Sequence, residues 1–89
     1  MLVHIIVSGH VQGVGFRYSA REKALEYNLV GWAQNKSDGT VEMEIEGDMA
    51  KVEQFIDQIQ KGLHRFIRVD DLTVNKTENK VGYKSFVIK

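Results

Sequence analysis

The stretch "SDGTVEMEIEGD", Ser37 to Asp48, carries the clearest local instructions in the chain. Asp38-Gly39 is the pair that a tight hairpin turn prefers, because both central positions need backbone angles that aspartate and glycine tolerate. Strands are therefore expected on both sides of it. On the far side Val41, Met43 and Ile45 alternate with Glu42, Glu44 and Glu46. That period of two predicts a strand with one buried face and one acidic row in water. Gly47 ends the alternation, and Asp48 stands where a helix cap belongs.

Beyond Asp48 the apolar period changes from two to between three and four. Met49, Val52, Ile56, Ile59 and Leu63, with Phe55 widening the stripe, predict a second helix that Gly62 helps to stop. Ile67 and Val69 open a fourth strand. Its phase shifts at Asp70-Asp71 before Leu72 and Val74 resume, which predicts a bulge. Phe86 and Ile88 make a short last strand.

Before Ser37, "LVGWAQN" from Leu29 to Asn35 reads as strand two. Phe16, Ala20, Ala24 and Tyr27 form the stripe of a first helix ending near Asn28, with Arg21, Glu22 and Glu26 off the stripe. Val3, Ile5 and Val7 alternate with Leu2, His4, Ile6 and Ser8 in a first strand that Gly9 terminates. The order is βαββαβ with one strand appended. This is an α+β, ferredoxin-like arrangement: an antiparallel sheet with two helices on one face plus a short C-terminal strand.

Eighty-nine residues with 43% apolar content have room for one core, so residues 1–89 are read as one domain. There are no cysteines, which excludes a disulfide framework and a thiolate metal site. His4, His10 and His64 lack zinc spacing, so neither metal nor cofactor is expected. The opening "MLVHIIVSG" has no basic leader and is broken by His4, which argues against a signal peptide or a membrane span. A cytoplasmic monomer is the expectation. Twelve basic residues balance twelve acidic ones, so the strongly positive field of a nucleic-acid binder is missing and any anion site must be local.

One local site suggests itself at "HVQGVGFR", His10 to Arg17. A helix start carries roughly half a positive charge, so an arginine in the first turn is unfavourable by a few tenths of a kcal/mol unless an anion offsets it. The N–H groups of a glycine-bearing loop and of a helix start also lack internal partners, which is how anion nests are built. A solvated arginine paired with Glu22 is the competing reading, and spacing alone leaves both open. The stretch lacks the Gly-Lys-Ser/Thr of a Walker loop and the third glycine of a dinucleotide fingerprint.

The stretch does resemble the signature of the acylphosphatases, whose V-Q-G-V-G-F-R loop stands unbroken as Val11 to Arg17. A second signature, G-W-x-x-N-x-x-D-G-x-V-E, appears as "GWAQNKSDGTVE" from Gly31 to Glu42. The order of elements and the length match that family too. The resemblance implies that the backbone amides of Gln12, Gly13, Val14, Gly15 and Phe16 hold a phosphate, that Arg17 neutralises it, and that the Asn35 side chain positions the attacking water. In a split βαβ unit strands one and two run parallel with one strand between them, about 10 Å apart. The loop must lean across to reach Asn35.

Neither signature supplies a metal-binding carboxylate cluster or a nucleophile–base pair, so the site can orient and stabilise charge but cannot easily protonate a poor leaving group. An acyl phosphate expels a carboxylate whose acid has a pKa near about 4, and needs no such proton. The reaction implied is metal-independent hydrolysis of a small-molecule acyl phosphate to a carboxylate and inorganic phosphate. Two alternatives share the fold: a noncatalytic phosphate-binding module and an RNA-binding module. Against the second stands the row Glu42, Glu44, Glu46 on the face where bases would stack. Trp32 and Tyr18 are assigned to packing, with Trp32 bordering the site.

Overall fold

In a computed structural model that describes residues 1–89, the alternating and helical stretches fold into seven elements. They are β1 (Leu2–His10), α1 (Phe16–Glu26), β2 (Val30–Asn35), β3 (Val41–Glu46), α2 (Met49–Gln60), β4 (Arg68–Thr77) and β5 (Phe86–Ile88). One sheet holds all five strands in the order β4-β1-β3-β2-β5. The first four pair antiparallel, whereas β5 lies parallel to β2, with Gly31 opposite Phe86. The sheet is therefore mixed, and its antiparallel part is the one that the alternation predicts.

The period of two decides which side chains enter the core. Val3, Ile5 and Val7 of β1 and Val41, Met43 and Ile45 of β3 point to the helix side, where they meet Phe16, Ala20 and Ala24 of α1 and Val52, Phe55 and Ile59 of α2. Each of these valine, isoleucine, methionine and phenylalanine side chains contributes about 1.5–3 kcal/mol by leaving water. Asp48 caps α2 as expected, its carboxylate accepting the Lys51 N–H.

Both helices stop short of the sequence estimate. The Leu29 N–H reaches back to the Ala24 carbonyl at 2.8 Å and the Asn28 N–H to Leu25 at 3.1 Å, with Asn28 at φ 57°. That hydrogen-bond pair closes α1 at Glu26 instead of Asn28. Leu63, assigned to the α2 stripe, lies beyond the helix at φ 60° and packs on the core from the connecting loop.

The bulge falls where the phase shift put it. Ser8 pairs with Asp71 and Gly9 with Val69, which leaves Asp70 unpaired. β1 continues through Gly9 to His10 because β4 offers partners as far as Arg68. The acidic row departs from the expectation: the alternation holds, but the row does not stand wholly in water. Glu46 is 8% exposed, its carboxylate accepting N–H groups of Val81, Gly82 and Tyr83. Glu44 accepts the Tyr83 hydroxyl, and Glu42 meets His4 Nε2 at 2.6 Å.

Candidate active site

The β1–α1 loop and the end of β2 meet because of register. Val41, at the start of β3, lies opposite Val7 on one side and Asn35 on the other. Asn35 is therefore level with Val7 but two strand spacings away, about 10 Å. Its side chain shares the face of Gly31 and Ala33, which is the helix side, and the loop leaving β1 turns towards that same side. The lean required by the sequence reading takes a definite form. Gln12 Nε2 donates to the Lys36 carbonyl at 2.8 Å and to the Thr40 carbonyl at 2.9 Å, tying the loop to the β2–β3 hairpin.

The loop backbone is shaped as a donor cradle. Gly13 and Gly15 sit at φ 76° and 75°, in the left-handed region that side-chain-bearing residues disfavour. Gly15 is the N-cap of α1 and offers no side chain to it, and the first turn holds no acid. The first bond of the helix is from Ser19 N–H to the Gly15 carbonyl at 3.1 Å. The main-chain N–H groups from Gln12 to Tyr18 consequently donate to no other group of the chain, and the helix dipole adds its positive end at the same place.

A pocket of about 160 Å³ opens over this cradle, lined by Val11, Gly13, Gly15, Phe16, Arg17, Tyr18 and Asn35. Larger hollows occur elsewhere on the surface, but this one gathers the guanidinium, the loop and the amide. Arg17 does not pair with Glu22. Its Nη1 donates to the Lys89 main-chain oxygen at 2.7 Å, and Lys89 is itself held by its N–H on the Ala33 carbonyl at 2.8 Å. One of five guanidinium N–H donors is thus used to aim the group, leaving the others for an anion.

Asn35 Oδ1 is buried and has no hydrogen-bond partner. A buried amide oxygen left unpaired costs on the order of 1–3 kcal/mol. The match of one family model, described as Acylphosphatase, extends over residues 3–88. The chain belongs to the acylphosphatase family. A curated acylphosphatase of Geobacillus thermodenitrificans strain NG80-2 is 43% identical over 86 residues, which cover 97% of this chain and 90% of that one. The crystal structure of an acylphosphatase from Bacillus subtilis superposes with a TM-score of 0.95 at 38% identity, covering 100% of this chain and 99% of that chain. The chain also resembles 11% of full-length HypF, solved "in the phosphate- and nucleotide-bound form", at 35% identity and a TM-score of 0.89 over 99% of its own length. The chain is accordingly a hydrolase of acyl phosphates with the ferredoxin-like fold.

Two side chains depart from their sequence assignment. Tyr18 does not serve packing: it is 58% exposed at the pocket, with the Arg21 guanidinium 5.5 Å from its ring centroid. Trp32 points away from the pocket, to the opposite face of the sheet. There its indole N–H donates to the Tyr83 hydroxyl at 2.9 Å, and the Lys89 ammonium lies 4.1 Å from its ring centroid. The tie made by the Gln12 side chain and the contact of Lys89 with Arg17 were not read from sequence. A lone glutamine and a final lysine have no periodicity to betray them.

Proposed function

We propose that Arg17 and the main-chain N–H groups of Gln12, Gly13, Val14, Gly15 and Phe16 bind the phosphoryl group of the acyl phosphate, and that Asn35 directs the water that attacks it. Asn35 carries the reading: it lines the pocket together with Arg17, and its Oδ1 has no hydrogen-bond partner in the chain. A water hydrogen-bonded to the Asn35 side-chain amide has its lone pair turned towards phosphorus, opposite the leaving carboxylate. The phosphoryl group passes through a loose transition state whose equatorial oxygens gain from fixed donors. The carboxylate departs as an anion without a general acid. A phosphate oxygen of the substrate takes the water's proton, since the pocket lining holds no carboxylate and no histidine.

Replacement of Arg17 or Asn35 by alanine tests the assignment. Each variant is expected to remain folded and to lose at least about a hundredfold in kcat on benzoyl phosphate, as removal of preorganised donors does elsewhere. Folded variants with near-normal turnover refute it. For the proton, a pH–rate limb that disappears in His10→Ala overturns the role of the substrate oxygen.

Residues 1–89 are further read as one domain acting as a monomer in the cytoplasm without a nucleic-acid partner. The common core beneath the whole sheet supports the single domain, and the even charge balance argues against a nucleic-acid partner. A gel shift with single-stranded RNA at low salt is the counter-test.

A further inference from the structure

The phosphate cradle and Asn35 stand on strands that do not touch, and a catalyst whose parts sit on separate strands needs something that fixes their separation. β3 lies between β1 and β2, but it begins only at Val41, so past that point nothing in the ladder joins the loop to the hairpin. The span is closed by one side chain. Both hydrogens of the Gln12 amide are used, one on Lys36 and one on Thr40. Those two carbonyls frame the turn itself: Lys36 N–H donates to Thr40 at 2.9 Å and Gly39 N–H to Lys36 at 3.2 Å. Lys36 directly follows Asn35.

We infer that Gln12 is a positioning residue of the reaction, its side-chain amide setting the distance between the phosphate cradle and Asn35. The inference rests on the site assignment proposed above. Gln12 is in the loop whose main chain faces the phosphate, yet its side chain points to the hairpin. One residue therefore has a donor N–H in the cradle and an anchor beside the water-directing residue. The chemistry is specific to glutamine. Glutamate presents an oxygen to two carbonyl oxygens and repels both, while asparagine is shorter by one carbon–carbon bond, about 1.5 Å, and cannot span both acceptors.

A misplaced cradle keeps its donors, so phosphate affinity is predicted to survive while alignment suffers. In Gln12→Ala and Gln12→Asn the inhibition constant of inorganic phosphate is expected to stay within about threefold of the parent, while kcat falls at least about tenfold. The decisive experiment is a double-mutant cycle with Asn35→Ala on benzoyl phosphate. If Gln12 acts through the placement of Asn35, then Gln12→Ala lowers kcat in the parent but changes it less than about twofold in the Asn35→Ala background.

Equal losses in both backgrounds overturn the inference, as does a phosphate constant that worsens in step with kcat, since either marks a general loosening of the loop. Normal turnover in Asn35→Ala alone removes the site assignment itself, a result distinguishable from the first. Should Gln12→Ala not fold, Gln12→Asn carries the same cycle with the smaller perturbation.

Discussion

The Glu46 carboxylate and the Tyr83 main-chain N–H, 37 residues apart in the chain, meet at 3.0 Å. The same carboxylate accepts Val81 N–H at 2.6 Å and Gly82 N–H at 2.9 Å, so one anion gathers three successive donors, an arrangement that backbone nests commonly offer to anions. These bonds, that from Val81 foremost, hold the Glu46 pKa below its ordinary value of 4.5 although burial opposes them.

A depressed carboxylate pKa stabilises the fold above the ordinary value and ceases to do so as pH falls through the lower folded value. Urea midpoints measured from about pH 7 down to about pH 3 are expected to fall in the parent more steeply than in Glu46→Gln. At neutral pH Glu46→Gln is expected to be less stable by about 1–3 kcal/mol, because its amide nitrogen faces donors. Parallel pH curves for the two proteins contradict the role of the carboxylate.

Tyr83 hydroxyl hydrogen bonds tie Trp32 to Glu44. Donation to Glu44 raises the Tyr83 pKa above its usual 10.0, so the stabilisation it gives is present below the ordinary tyrosine range and is lost as pH rises through the higher folded value. Tyr83→Phe is expected to cost about 1 kcal/mol of stability and to leave kcat within about twofold, since Tyr83 is on the face away from the pocket. Ultraviolet titration of the parent and this variant identifies the late-ionising phenol as Tyr83.

Asn35→Asp replaces an amide by an anion of the same shape in a pocket meant for a dianion. At roughly 4–5 Å and an effective dielectric near 20, such repulsion amounts to a few kcal/mol. Inorganic phosphate is therefore expected to inhibit Asn35→Asp at least about tenfold less well, whereas Asn35→Ala keeps the parent's inhibition constant and loses turnover alone. Unchanged phosphate inhibition in Asn35→Asp means that the side chain lies outside the anion's field.

Two glycines separate strain from collision. At Gly15 a Cβ meets nothing within 4 Å, so Gly15→Ala suffers only for its φ of 75°, about 1 kcal/mol, and it should fold with a disturbed cradle. At Gly31 a Cβ would lie 1.8 Å from the Glu44 carbonyl oxygen, which parts β2 from β3. Chemical denaturation is expected to give a cooperative transition for Gly15→Ala and none for Gly31→Ala.

The fold was largely legible because two periods, two and between three and four, are written in residue types: Val41, Met43 and Ile45 against the glutamates, then Val52, Phe55 and Ile59. The bulge was legible as a phase shift at Asp70. The burial of Glu46 was not, since its partners are main-chain N–H groups of residues 81 to 83, which no residue type announces. In the site, the resemblance of Val11–Arg17 and Gly31–Glu42 to family signatures brought Arg17 and Asn35 forward, whereas spacing alone left Arg17 between an anion and a neighbouring acid. Its actual neighbour, Lys89, becomes adjacent only through the parallel seat of β5 beside β2.

The position of β1 governs how the chain reaches its final form. The first strand in the chain lies between β3 and β4, with Leu2 opposite Thr77 and Val3 opposite Lys76. Its outer flank cannot be zipped until β4 has left the ribosome. Closing so large a ring is an entropic toll levied before those ladder bonds form, and until then Val3, Ile5 and Val7 belong to an unfinished sheet with one bare edge. Nascent chains cut before β4 should therefore be the form that chaperones hold and that clumps most readily.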